Sequence, residues 1–188
     1  HNQLFSYLEN EAMVWERQSY LKASVLMSDN KLFREQIQKS CFSKNVSAEE
    51  LSELKNIRSQ LHTNTSYDFK YGRGGLVDIE FSAQIAILIN KIHYDSCNTF
   101  DMIRSLQSTI EIWQANAVIL TNNYLFLRTL EQYQQLLTLS QLNKVDTSAE
   151  HLSRMASLFK NTPQQLLNRI ESTLQLNQEI LKILDPRE

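Results

Sequence analysis

Every glycine in this chain of 188 residues lies within four consecutive positions, Gly72-Arg73-Gly74-Gly75. Average usage would spread about 7% glycine through a globular chain. A sequence that avoids glycine elsewhere and gathers it here needs unusual backbone at one place. The two prolines, Pro163 and Pro186, fall near expected helix ends. With so few breakers, the rest of the chain favours uninterrupted helix.

Apolar spacing agrees. Residues 4–26 carry Leu4, Phe5, Leu8, Ala12, Trp15 and Leu21 at helical intervals and predict one amphipathic helix. Ser28-Asp29-Asn30 is expected to cap a second helix through Leu32, Phe33 and Ile37. Ser47-Ala48-Glu49-Glu50 is a capping box opening a helix over 48–62. Residues 67–71 alternate weakly and could be extended. Residues 76–92 are apolar on most of their circumference, which predicts a buried central helix too long to be a strand. Helices are expected over 100–113 and 115–139, with a possible break at Gln114. Thr147-Ser148-Ala149-Glu150 is a second capping box, and Thr162-Pro163 pairs an N-cap with proline at the first helical position of a last helix ending near Leu184. The predicted fold is all-α: an elongated bundle of seven or eight helices forming one domain over 1–188, with a glycine-rich loop before a buried central helix.

Nineteen basic and twenty-one acidic residues give a net charge of −2, which argues against nucleic acid as a partner. No apolar run approaches the ~20 residues a bilayer span needs, and no leader precedes the first helix, so a cytoplasmic protein is expected. Cys41 and Cys97 lack CxxC spacing and the four histidines are scattered, so neither a disulfide nor a metal site is expected. No nucleophile–base set predicts a catalytic residue.

One segment carries chemistry. Lys70-Tyr71-Gly72-Arg73-Gly74-Gly75 runs into the start of the central helix. Open backbone N–H groups and the helix dipole favour an anion there, and glycines allow close approach. Lys70 and Arg73 add positive charge. Lys70, Gly72, Arg73, Gly74 and Gly75 therefore form a candidate phosphate- or nucleotide-facing loop. The spacing is neither a Walker A loop nor a dinucleotide fingerprint, and a tight turn into a buried helix is the competing account. Asp78 and Glu80 complement the dipole. Glu80 and Gln84 share a face, with Asp78 about 200° round from Glu80, so the two acids should do different jobs. Trp15-Glu16-Arg17-Gln18 reads as a core tryptophan beside solvated charges, and Arg128 with Glu131 as a plain surface salt bridge.

Residues 15–23, residues 68–84 and, more loosely, Phe126-Leu127-Arg128-Thr129-Leu130-Glu131 resemble the bacterial glutamine synthetase adenylyltransferase/adenylyl-removing enzymes. That family has two similar halves, each a nucleotidyltransferase domain followed by a helical domain. This chain resembles a helical domain, and Leu76-Val77-Asp78, with the chain's end, suits the second, adenylylating half. The resemblance implies a role in switching glutamine synthetase by transfer or removal of AMP, using ATP and Mg²⁺ in the full-length enzyme, under control of a PII signalling protein. It implies no cofactor in this fragment. The family's catalytic acids sit in a Gly-Ser-x-Asp-x-Asp motif of the preceding domain. No Gly-Ser pair occurs here, so the fragment alone is expected to be inactive. Lys70, Arg73 and the loop would face the nucleotide cleft, with Glu80 and Gln84 orienting the loop. Ser24 and Thr129 stand where the family usually has basic residues. The related PII uridylyltransferases carry a similar domain, but Glu80-Phe81 favours the adenylyltransferases. The alternative from another class is an interaction module that docks glutamine synthetase or PII.

Overall fold

The computed structural model describes residues 2–23 and 31–185. Ten helices run through them: α1 (Asn2–Asn10), α2 (Val14–Tyr20), α3 (Lys31–Cys41), α4 (Ala48–Gln60) and α5 (Leu76–Asn90), then α6 (Thr99–Thr109), α7 (Glu111–Gln114), α8 (Ala117–Thr138), α9 (Ala149–Leu158) and α10 (Pro163–Leu184). The described chain holds no strand, only an isolated antiparallel bridge between Asp68 and Lys144. The fold is all-α. The cap expected at Ser28-Asp29-Asn30 lies outside the described residues.

Local chemistry explains why there are more helices than expected. The single helix predicted over 4–26 is two. Met13 is extended, and the Glu16 carboxylate accepts its N–H at 2.9 Å and the Tyr7 hydroxyl at 2.6 Å, so a new helix starts there. These bonds lower the Glu16 pKa, the Tyr7 bond first and the Met13 bond second. Ile110, extended at φ −121°, separates α6 from α7. The boxes at Ser47 and Thr162 form with both reciprocal bonds, to Glu50 and Gln165 respectively. The box expected at Thr147 does not. Ser148 is the N-cap, its N–H is taken by Asp146 Oδ1 at 2.9 Å, and Glu150 pairs with Arg154 at 2.6 Å. With glycine confined to one loop, α5, α8 and α9 are followed by Lys91, Leu139 and Lys160 at φ 52°, 52° and 55°. Left-handed residues at these ends cost about 1–2 kcal/mol each.

The chain divides into two compact units, 2–57 with 81–117 and 58–80 with 118–185. In the first, α1 and α2 pack on α3, and α6 packs on α7. Its core includes Leu8, Cys41, Leu54, Ile87, Met102, Leu106 and Trp113. Ile85, Ala86, Ile87 and Leu88 are buried in succession, as an all-round apolar helix requires. Burial pushes the Cys41 thiol up to about 12, against the lowering effect of Arg17. Because the thiolate is the nucleophile, Cys41 is expected to resist alkylation at mildly alkaline pH until the chain is unfolded. A mass-spectrometric time course with and without urea measures this, and native Cys41 reacting at the denatured rate would contradict it.

The second unit packs α9 on α10 and buries Phe69, Leu76, Ile79, Leu127, Leu130 and Ile170. The inner face of α10 runs Leu166, Ile170, Thr173, Asn177, Ile180, Leu181 and Leu184. Asn177, wholly buried in that stripe, points to the glycine loop.

Candidate functional site

Asp68 shapes the loop from within. Its Oδ1 accepts the N–H groups of Lys70 at 3.0 Å and Tyr71 at 2.8 Å, and Oδ2 accepts the Thr63 hydroxyl at 2.6 Å. Such local bonds let an aspartate stand in for a turn of backbone. The Asp68 carbonyl takes the Gly72 N–H at 3.1 Å. Gly75 then donates to Gly72 at 2.9 Å, Leu76 to Phe69 at 2.9 Å and Val77 to Lys70 at 3.1 Å. Gly74 donates to Asp78 Oδ2 at 2.7 Å. The amides of Gly74, Gly75, Leu76 and Val77, expected to be open to an anion, are therefore engaged inside the chain.

The need for glycine is steric. A Cβ at Gly72 would stand 2.2 Å from the Asp68 carbonyl oxygen, and one at Gly74 2.1 Å from that of Leu174. Gly74 also sits at φ 76°. From α10, Asn177 Nδ2 donates to the Gly74 carbonyl at 2.8 Å and Gln178 Nε2 to that of Arg73 at 3.2 Å. Asn123 Nδ2 donates to Asn177 Oδ1 at 2.8 Å. Arg73 itself is exposed.

Asp78, in the first turn of α5, and Glu80, just beyond it, have separate partners. Asp78, 3% exposed, meets Arg58 Nε at 3.0 Å and His62 Nε2 at 2.7 Å through Oδ1. Glu80 Oε1 accepts the Tyr124 hydroxyl at 2.7 Å and lies 3.4 Å from Arg128. Arg128 continues to Glu131 at 2.6 Å and to the Tyr124 oxygen at 3.1 Å, and Lys70 Nζ reaches Glu131 at 3.4 Å. This corrects the reading of Arg128 and Glu131 as a plain surface pair. Glu131 is buried and shared by two cations, which is how a buried carboxylate is tolerated. Burial opposes the Arg128 charge, but Tyr124, Glu131 and Glu80 together outweigh it and raise its pKa.

The reading of 15–18 is reversed. Trp15 is 44% exposed and Arg17 is wholly buried. The guanidinium donates to the carbonyls of Cys41 at 3.3 Å and Lys44 at 3.1 Å and to Glu50 at 3.1 Å. A planar fork that finds three acceptors can be buried where a tryptophan need not be. Gln18 Nε2 donates to Gln84 Oε1 at 2.8 Å. Sequence reasoning missed Asn177, Tyr124 and His62. Only Asn177 leaves a signal, as the amide inside the apolar stripe of α10.

The carboxylates of this site are bonded to Arg58, Arg128, Lys70 and backbone, a donor set that does not suit an octahedral, oxygen-ligated Mg²⁺. Among the described residues no group of three or more His, Cys, Asp or Glu could hold a metal ion, and no helix is long and apolar enough to cross a membrane.

Residues 44–183 match the family described as GlnD PII-uridylyltransferase, a span holding the glycine loop, α5 and the Lys70–Glu131–Arg128 network. The chain belongs to this family. Similar proteins carry the name bifunctional glutamine synthetase adenylyltransferase/adenylyl-removing enzyme. That of Caulobacter vibrioides is 28% identical over 81% of this chain and 17% of its own length. That of Shewanella frigidimarina is 28% identical over 95% and 18%, and that of Agrobacterium fabrum 26% identical over 90% and 19%. The chain thus spans less than a fifth of the length of these relatives.

Proposed function

We propose that this chain is the helical domain of a bifunctional glutamine synthetase adenylyltransferase/adenylyl-removing enzyme. In the intact protein it follows a nucleotidyltransferase domain and helps complete that domain's nucleotide cleft. Glutamine synthetase would be the substrate, a PII protein the regulator, and the cytoplasm, which suits two unpaired thiols, the compartment. ATP and Mg²⁺ would be held by the preceding domain. Leu76-Val77-Asp78 favours the second, adenylylating half.

The observation that carries this reading is the setting of Arg73. Arg73 is exposed, while its carbonyl accepts from Gln178 and the backbone of the next residue, Gly74, is held by Asp78 and Asn177. A cation on a pinned backbone suits stabilisation of a phosphoryl group, because little reorganisation is needed when charge develops. In the intact enzyme, Arg73→Ala should lower AMP transfer to glutamine synthetase by roughly 10²-fold and leave thermal unfolding unchanged. Transfer at the wild-type rate would sink the cleft-facing assignment. The family match favours a second reading, the equivalent domain of a PII uridylyltransferase. Uridylylation of PII by the intact enzyme, without adenylylation of glutamine synthetase, would establish it.

A further inference from the structure

The second unit is built mainly from α8, α9 and α10, and two of these meet solvent with charge. α9 exposes Glu150 and Arg154, and α10 exposes Arg169, Glu171, Glu179 and Lys182. α8 differs. Its exposed positions are Val118, Ile119, Asn122, Leu125, Gln132 and Leu136, none of them charged. Its two charges, Arg128 and Glu131, are turned into the network with Lys70 and Glu80. Leu136 is 70% exposed, and Leu139, just past the helix end, 92%. Single exposed apolar residues are ordinary, but a contiguous uncharged face marks an interaction surface.

Spacing narrows what can cover it. Val118, Asn122, Leu125, Thr129, Gln132, Leu136 and Leu139 follow one another at alternate steps of four and three residues. That is the 3.5-residue period of a helix–helix seam. A straight helix drifts about 20° per heptad against this period, so three heptads keep to one face. At 1.5 Å per residue the stripe is about 32 Å long. Asn122 and Gln132 are amides of the kind that fix a partner's register within such a seam. The occupant is therefore an α-helix with apolar residues at the same spacing. Its seam carries no charge, because a charge facing Leu125 or Leu136 would be buried without a partner.

Two observations bear on where that helix comes from. The chain spans less than a fifth of the length of its relatives, so most of such a protein lies outside it. An apolar, charge-free face also suits a permanent contact better than a partner that comes and goes, whose docking surface must stay soluble between encounters. We infer that the outer face of α8 is covered, in the intact protein, by a helix of the same polypeptide outside these 188 residues. This rests on the reading of the chain as one part of a longer enzyme, and does not involve Arg73 or the nucleotide cleft.

The test is the alkylation rate of Leu125→Cys, read by peptide mass, in the 188-residue chain and in the intact protein. Labelling roughly tenfold or more slower in the intact protein is expected. Adding Leu136→Glu should restore the rate of the isolated chain, because a glutamate cannot be buried unpaired in the seam. In the isolated chain, where Leu136 is exposed, the same substitution should leave thermal unfolding unchanged. Equal rates in the two proteins, or slow labelling that survives Leu136→Glu, would overturn the assignment. So would slow labelling of the isolated chain that quickens on dilution, which would identify a second copy as the occupant. Protection of the intact protein only after glutamine synthetase is added would overturn it in favour of the substrate. The Arg73→Ala transfer assay is read independently of each of these results.

Discussion

Replacing Arg17 with alanine is expected to lower the free energy of unfolding by about 3 kcal/mol or more, a large part of the roughly 5–15 kcal/mol typical of a domain. The substitution removes donors to two backbone carbonyls, those of Cys41 and Lys44, and one of them belongs to a wholly buried residue. It also leaves a space where a side chain of 0% exposure had been. The Glu50 carboxylate contributes less to the loss. It is 31% exposed on its side chain and still receives the Ser47 N–H, so water and the cap can support it. Arg17→Lys should recover part of the loss, because one ammonium cannot reach three acceptors arranged for a planar fork. Urea unfolding with an unchanged denaturant slope would report the difference. A wild-type midpoint for Arg17→Ala would mean that the buried fork does not hold α2 to the α3–α4 connection.

Gly74→Ala is expected to be of similar size, at about 3 kcal/mol or more, for a different reason. The added methyl would stand 2.1 Å from the Leu174 carbonyl oxygen, and that oxygen is helix backbone with no rotamer to escape into. The left-handed backbone at φ 76° adds about 1–2 kcal/mol of strain for a non-glycine residue. Either α10 withdraws, breaking the bond from Asn177 to Gly74, or the loop refolds and frees the amides of Leu76 and Val77. Hydrogen exchange should therefore show lost protection at Leu76 and Val77 together with a fall in thermal midpoint of several degrees. Unchanged protection at both amides would show that the chain accommodates a Cβ there.

How much of this was legible from the sequence differs by element. Helical apolar spacing made α4 readable and a run apolar all round made α5 readable, and the boxes at Ser47 and Thr162 gave the starts of α4 and α10 because capping is decided within four residues. The break at Met13 was not readable. It depends on Glu16 binding Tyr7 from the preceding helix as well as the Met13 N–H. The box at Thr147 misled because the helix starts one residue later, with Ser148 as its N-cap and its N–H bonded to Asp146, and Glu150 pairs with Arg154. The glycine cluster marked the right place, and the mechanism drawn from it needed correction. The glycines are required by the Asp68 and Leu174 carbonyls, and the helix-start amides are occupied by the loop's own oxygens.

The sequence by itself determined the helical class, the buried nature of α5 and the location of the one unusual loop. Those properties follow from periodicity and from residue types whose preferences act over a turn or two of chain. The tertiary structure alone decided which charges are buried. Arg17 lies inside while Trp15 lies at the surface, and Glu131 joins Lys70 across 61 residues. It also decided that Asn177 closes the glycine loop from 103 residues away. A charged or amide side chain can be buried only where several partners converge, and that convergence is a property of packed elements that no local pattern records.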